Sequence, residues 1–197
     1  MEIIVALFSY LIGSIPTGFI IGKLAGIDVR TAGSGNIGAT NVARVMGKGR
    51  GLLTLLADVA KGFVPVFAAQ QMAFSDTAVA VIAGAAFLGH LYPIFLKFRG
   101  GKGVATAFGA LLAVAPQVTL ILIAVFIFAA LPSRIISLGS LGAALAAPIL
   151  FWFFSYPAPF VALTVFLAAM IVIRHHANIR RLLDGAEPRF GARTNSR

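Results

Sequence analysis

The sequence predicts an all-α polytopic membrane protein, and three observations predict it. Long stretches carry no Asp, Glu, Lys or Arg: 20 residues between Glu2 and Lys23, 20 between Asp76 and Lys97, 31 between Lys102 and Arg134, and 39 between Arg134 and Arg174. A helix needs about 20 apolar residues to cross a bilayer. Of the 197 residues, 59% are hydrophobic and 11% charged, against roughly 25% charged in a soluble domain, and the mean hydropathy is +0.97. The formal net charge of +10 gathers in the segments between the apolar runs. That is the distribution of cytoplasmic loops under the positive-inside rule, and it argues against nucleic acid as a partner. No cysteine is present, so disulfides and thiol catalysis are excluded. No soluble domain, linker or repeat interrupts the chain, and residues 1–197 are expected to form one integral membrane domain.

The first span is expected from Ile3 to Gly22, with Pro16 as a kink. It follows Glu2 rather than a basic segment and lacks a clear cleavage site, so it is a retained span and not a signal peptide. Gly18, Gly22 and Gly26 place small residues every four positions, a pattern that permits close helix packing. Lys23, Arg30, Arg44, Lys48 and Arg50 follow this span. The N-terminus is therefore expected outside and the loop after the span in the cytoplasm. Span two runs from about Gly51 to Phe74 and carries Asp58 and Lys61, three residues apart on one helical face. Intramembrane charges face the bundle interior and pair; the spacing leaves both a structural pair and a direct role in a site open.

Ser75-Asp76 is an outside turn, and span three returns inward from about Thr77 to Leu96. A break at Pro116 divides the next run into spans near 104–115 and 117–131, followed by 135–154 and 159–173. Pro132-Ser133-Arg134 then falls inside and uncharged Ser155 to Pro159 outside, seven spans in all. The two spans around Pro116 are short, about 18 to 23 Å at 1.5 Å per residue. In the tail, Ile179, Leu182 and Leu183 recur at helical spacing and predict a short amphipathic helix. Phe190 to Arg197 are expected to be disordered.

All polar chemistry falls into three clusters on the expected cytoplasmic side. The first is Gly33-Ser34-Gly35-Asn36-Ile37-Gly38-Ala39-Thr40-Asn41, closed by Arg44. Its glycines permit a backbone that exposes several N–H groups to a phosphate. It spells G-x-G-x-x-G, but a membrane span precedes it instead of a strand, so it is no dinucleotide fingerprint. The second runs from Gly89-His90 through Lys97, Arg99, Gly100-Gly101-Lys102-Gly103 to Thr106. It is no Walker A loop: Leu96 stands where a glycine is required, and Gly103 where a Ser or Thr would meet magnesium. Glycines and one lysine still suffice for a phosphate or acyl phosphate. The third offers His175, His176, Asn178, Arg180 and Arg181, with Asn178 on the face of His175 at i+3.

What is missing narrows the chemistry. No carboxylate pair lies on the cytoplasmic side. Acid/base glycosidase chemistry and a metal site are therefore not expected. Neither His90, His175 nor His176 begins a His-x4-Asp motif of thioester-dependent acyltransferases, and there is no Gly-x-Ser-x-Gly elbow. The clusters bind anions and offer few bases. A small anion or phosphate-ester transporter is the alternative; it would call for internal repeats and a site at membrane depth, and the sequence offers neither.

Together the three clusters resemble the bacterial acyl-phosphate-dependent glycerol-3-phosphate 1-acyltransferase family. Its first motif stands here as Gly33 to Arg44, its second as Gly89 to Phe98 and Gly100 to Thr106, and its third as His175 to Leu182 with Gly185 and Glu187. The resemblance covers essentially the whole chain. Arg99 stands where relatives often have Lys, which keeps the charge. The resemblance implies seven spans and a cytoplasmic-side site in the bacterial inner membrane. It implies acyl transfer from acyl phosphate to the sn-1 hydroxyl of glycerol 3-phosphate, without cofactor or metal. Ser34, Arg44, Lys102, His175 and Asn178 are the expected catalytic residues. Gly33, Gly35, Asn36, Gly38, Thr40, Asn41, His90, Gly100, Gly101, Gly103, Thr106, Arg180 and Glu187 are expected to bind substrate. Membrane lipids surround it, and the soluble enzyme that makes acyl phosphate is a candidate partner. The proton acceptor is left open between His175 and a substrate phosphate.

Overall fold

A computed structural model describes residues 1–191. Residues 192–197, part of the terminal segment expected to be disordered, lie outside the described residues. All regular structure among the described residues is helical: α1 (Glu2–Ser14), α2 (Thr17–Leu24), α3 (Ala39–Met46), α4 (Lys48–Gln71), α5 (Asp76–Leu91), α6 (Val104–Val114), α7 (Pro116–Ser133), α8 (Ile136–Phe153), α9 (Ala158–Arg174) and α10 (His176–Leu183), with a 3₁₀ turn at Ile94–Leu96.

Each expected apolar run is helical. Pro16 does more than kink the first run: it breaks it into α1 and α2. The break at Pro116 stands, with α6 ending at Val114 and α7 starting on the proline itself. Proline fits a first helical position, where its missing N–H costs nothing. Five segments are long and apolar enough to cross a membrane, and α9 with α10, bent by 62°, makes a sixth. At 11 residues, α6 covers about 16 Å and needs the cover of its neighbours.

The bundle is assembled from pairs: α1 on α5, α4 on α6, α7 on α8 and α8 on α9. Two of these seams are glycine contacts made in both directions. A Cβ on Gly13 would sit 2.0 Å from the Ala86 carbonyl oxygen, and one on Gly89 would sit 2.2 Å from that of Tyr10. Gly62 and Gly109 do the same between α4 and α6, against the Thr106 and Val59 carbonyls. Small residues allow this approach where lipid supplies no hydrophobic drive between helices. A core of Phe87, Ile82, Leu91, Phe151 and Leu167 fills the bundle. Leu7, Leu56, Leu120, Phe128, Ile149 and Trp152 stay exposed on its outside, as lipid-facing side chains do.

The expected stripe of Gly18, Gly22 and Gly26 is corrected. Gly18 and Gly22 do pack closely, mainly against the loop that follows α2, at the Ile37 and Ile27 carbonyls, and Gly18 also meets the Val42 side chain of α3. Gly26 meets nothing: with φ +73° it ends α2 in the left-handed region. At Phe190 the expected disorder is corrected, since its N–H donates to the Arg134 carbonyl at 2.8 Å.

Candidate active site

The first loop is built around one side chain. Asn41 is buried, and its Nδ2 donates to the Val29, Ala32 and Asn36 carbonyls at 3.0, 3.0 and 2.8 Å. Its Oδ1 accepts from the Ser34 N–H at 2.8 Å. A small apolar floor of Val29, Ile37, Val42 and Leu96 supports the turn. Asn41 is thus the loop's internal brace, with Nδ2 and Oδ1 both engaged by the loop's own backbone. The same accounting applies to the backbone. The Ser34, Gly35 and Gly38 N–H groups go to Asn41 Oδ1, the Ala32 carbonyl and Asn36 Oδ1. The open cradle of amides is therefore not formed at those positions. Gly33 and Gly35 supply positive φ at +62° and +70°. What faces outward is Ser34, Thr40 and Arg44, all exposed, at the start of α3, where the Asn41 and Val42 N–H groups already donate to the Gly38 carbonyl at 3.0 and 3.1 Å.

The second loop is clamped from two sides. The Gly100 and Gly101 N–H groups donate to the Leu91 and His90 carbonyls, both at 3.1 Å. From α9, Arg174 donates to the Gly100 and Gly101 carbonyls at 2.9 and 3.1 Å while its guanidinium lies over the Tyr92 ring. The two glycines therefore shape the loop rather than line an anion cradle with their amides. His90 is buried beneath them, its Nε2 2.2 Å from where a Gly101 Cβ would stand. Thr106 is fully buried in α6 against Gly62 of α4. Both side chains lie in the interior. Gly103, at φ +81°, starts α6 against the Phe87 ring.

Lys102 emerges from this loop and joins the third cluster. Its Nζ donates to Asn178 Oδ1. The Asn178 Nδ2 donates to Glu187 Oε1 at 2.5 Å. Ser137 of α8 donates to the same oxygen at 2.6 Å, and Arg181 Nε to Oε2 at 2.7 Å. Burial would raise the Glu187 pKa, but the hydrogen bonds from Ser137, Asn178 and Arg181 outweigh it and hold the carboxyl below its usual range. Burial lowers Lys102 to about 8; Glu187 works against that, and the positive charges of Arg181, Arg44 and Arg174 reinforce it. Arg44 from the first loop and Arg174 and Arg181 from the third cluster thus converge on Lys102.

His175 caps α9 and is buried, while His176 is exposed. The His175 Nδ1 lies 2.8 Å from the Ile171 carbonyl. A carbonyl only accepts, so Nδ1 carries the proton and Nε2 presents a lone pair. Burial pushes His175 down to about 4, helped by the charge of Lys102 and opposed by the Ile171 hydrogen bond and Glu187. It is neutral at pH 7.

Arg180 stands apart. It is exposed and lies two positions beyond Asn178, on another face of α10, whereas Arg181 lies at i+3 and meets Glu187. Arg181, and not Arg180, joins the Glu187 network. Sequence reasoning also missed Arg174 and Ser137. Arg174 directly precedes His175 and was within reach of that motif. Ser137 carried no local signal, because its partner is 50 residues away.

The result is a cluster of cations, Arg44, Lys102, Arg174 and Arg181, around one carboxylate, with a neutral imidazole and an exposed hydroxyl. Among the described residues no group of His, Asp and Glu could hold a metal ion. The arrangement suits dianionic phosphate esters.

Comparison with known proteins agrees. The family described as Glycerol-3-phosphate acyltransferase matches residues 3–185. A glycerol-3-phosphate acyltransferase of Syntrophotalea carbinolica is 50% identical over 191 residues, covering 96% of this chain and 97% of the relative. That of Geobacter sulfurreducens is 47% identical over 191 residues, covering 97% and 98%. The crystal structure of PlsY (YgiH), an integral membrane glycerol 3-phosphate acyltransferase, in its glycerol 3-phosphate form has a TM-score of 0.94 at 42% identity, covering 96% of both chains. Its lysophosphatidic acid form scores 0.91 at 41% identity, covering 96% and 95%. This chain belongs to the glycerol-3-phosphate acyltransferase family.

Proposed function

We propose that this chain transfers an acyl group from an acyl phosphate to the sn-1 hydroxyl of glycerol 3-phosphate, at the cytoplasmic face of a bacterial inner membrane. The hydroxyl oxygen attacks the acyl carbon, the bond from that carbon to the phosphate oxygen breaks, and inorganic phosphate leaves with the electron pair. The products are lysophosphatidic acid and phosphate.

One observation carries the reading: Arg44, Lys102, Arg174 and Arg181 converge from three separate segments on one site with a single carboxylate. Two phosphates, one on each substrate, balance that charge. Holding them side by side brings the hydroxyl to the acyl carbon, which is the entropic part of catalysis. Lys102 and Arg44, with the Ser34 hydroxyl, stabilise the leaving phosphate and the oxyanion. Asn178 and His175 bind glycerol 3-phosphate. An acyl phosphate is already activated, so no acyl-enzyme is required.

His175 at about 4 is a weak base beside a phosphate monoester, whose second pKa is about 6. A substrate phosphate therefore takes the hydroxyl proton, and His175 Nε2 orients the hydroxyl as an acceptor. The orientation of the chain rests on charge: Lys23, Arg44, Lys102 and Arg174 all flank the site end of the bundle.

The test uses purified protein, glycerol 3-phosphate, and either palmitoyl phosphate or palmitoyl-CoA. Turnover with palmitoyl phosphate and none with palmitoyl-CoA is expected. Turnover with the thioester alone would overturn the donor assignment. His175→Ala should raise KM for glycerol 3-phosphate and largely keep kcat at saturation; a collapse of kcat at saturation would restore His175 as the base.

A further inference from the structure

A second charged cluster lies inside the bundle, away from the substrate-facing groups. Asp58 Oδ1 accepts from Thr17 Oγ1 at 2.5 Å and from Lys61 Nζ at 2.6 Å, and the His90 Nδ1 lies 3.7 Å from the same oxygen. Asp58, Lys61 and His90 are only 2, 5 and 5% exposed. Lys61 is on the same helix as Asp58, one turn away, so the pair could exist within α4 alone. Thr17 and His90 come from α2 and α5. Those two residues are where the site's loops rest.

Thr17 opens α2, and the next residue, Gly18, lies so close to the first loop that an added Cβ would meet the Ile37 carbonyl oxygen at 1.9 Å. His90 ends on the second loop: its carbonyl accepts the Gly101 N–H, and its ring Nε2 packs against the Gly101 α-carbon. Lys102 is the next residue. One buried carboxylate oxygen thus lies one side chain away from the supports of both loops.

A buried ion pair adds little stability by itself, because desolvation offsets the attraction, and replacing both partners with apolar residues is often neutral. A fixed registry between elements is a better account of why charges sit here. We propose that Asp58, together with Lys61 and His90, is a positioning residue of the acyl-transfer site. It fixes the Ser34 loop through Thr17 and the Lys102 loop through His90. This inference rests on the proposed acyl transfer for its kinetic readout, and parent turnover, measured first, tests that reading separately.

The test is the double variant Asp58→Leu/Lys61→Met in the full detergent-purified chain, which leaves no unpaired buried charge. Its thermal midpoint should stay within a few degrees of the parent. The kcat should fall about 10- to 100-fold, as a misplacement of about 1 Å costs, by more than KM for glycerol 3-phosphate rises. Hydrogen exchange, independent of activity, should quicken at least tenfold in residues 33–38 and 98–103 and stay unchanged in α8. A kcat within threefold of the parent, or unchanged exchange in both loops, overturns the proposal. If the double variant fails to fold, His90→Gln decides: exchange should quicken in 98–103 and not in 33–38. Equal effects on both loops, or none, would overturn it.

Discussion

Two polar clusters in this protein are built from the same residue types and differ in their balance. Around Asp58, one carboxylate is matched by one ammonium, with a hydroxyl and an imidazole completing its surroundings, and all but the hydroxyl-bearing Thr17 are nearly inaccessible. Around Lys102, four cations share the single carboxylate of Glu187, and Ser34 and Arg44 face outward. The inner cluster is electrically complete. The outer cluster is short of negative charge by about three, which is what arriving phosphates supply. The difference teaches that burial of charge alone does not single out a phosphate site; uncompensated charge is the feature on which the proposed site rests.

Removing an outer cation should have the largest effect. Lys102→Ala should cost about 10²- to 10³-fold in kcat/KM, the range seen when a donor to developing negative charge is lost. The thermal midpoint should hold or rise, because a desolvated cation has gone. Unchanged activity in a phosphate-release assay would erase the contrast between the clusters.

Titration gives the next effect. With Lys102 near 8 in the free protein, its charge is lost as pH rises through 8. The kcat/KM for the phosphate substrates should then fall about tenfold per unit above that point. The sign for stability is opposite. The folded pKa lies below the ordinary 10.5, so the unfolded chain holds more protons between 8 and 10.5 and this group's contribution rises with pH there. Lys102→Arg should move the alkaline limb out of the measurable range, since guanidinium does not titrate there. A limb that stays at pH 8 in that variant assigns it to another group.

Asn41 offers a structural counterpart. Asn41→Ala strips partners from the Ser34 N–H and three carbonyls, and should cost about 1–3 kcal/mol in stability, read as a lower midpoint in thermal unfolding. The smallest effects separate neighbours on α10: Arg180→Ala should leave kcat/KM within threefold, and Arg181→Ala, which removes the partner of Glu187 Oε2, should lower it clearly more.

Much of this was legible before any coordinates. Pro116 marks a break because proline is favoured at the first position of a new helix, although Pro65, Pro132 and Pro148 sit inside α4, α7 and α8 without ending them. Asp58 and Lys61 were readable as a pair from their i,i+3 spacing. Their partners were not, because Thr17 and His90 reach Asp58 only through packing of α2 and α5 on α4. Asn41 was misread because an Asn among glycines looks the same whether it binds a ligand or its own backbone. The choice of Arg181 over Arg180 was present in the helical phase of Asn178. Ser137 was out of reach, since nothing near it in sequence announces Glu187.

We propose direct transfer of the acyl group from acyl phosphate to the hydroxyl of glycerol 3-phosphate, with both phosphates held by uncompensated cations and no acyl-enzyme. It is tested most directly by mixing the purified protein with labelled palmitoyl phosphate in the absence of glycerol 3-phosphate. The account predicts no burst of inorganic phosphate and no label on the protein, followed by equal phosphate and lysophosphatidic acid when glycerol 3-phosphate is added. A stoichiometric burst with palmitate bound to the chain would contradict it.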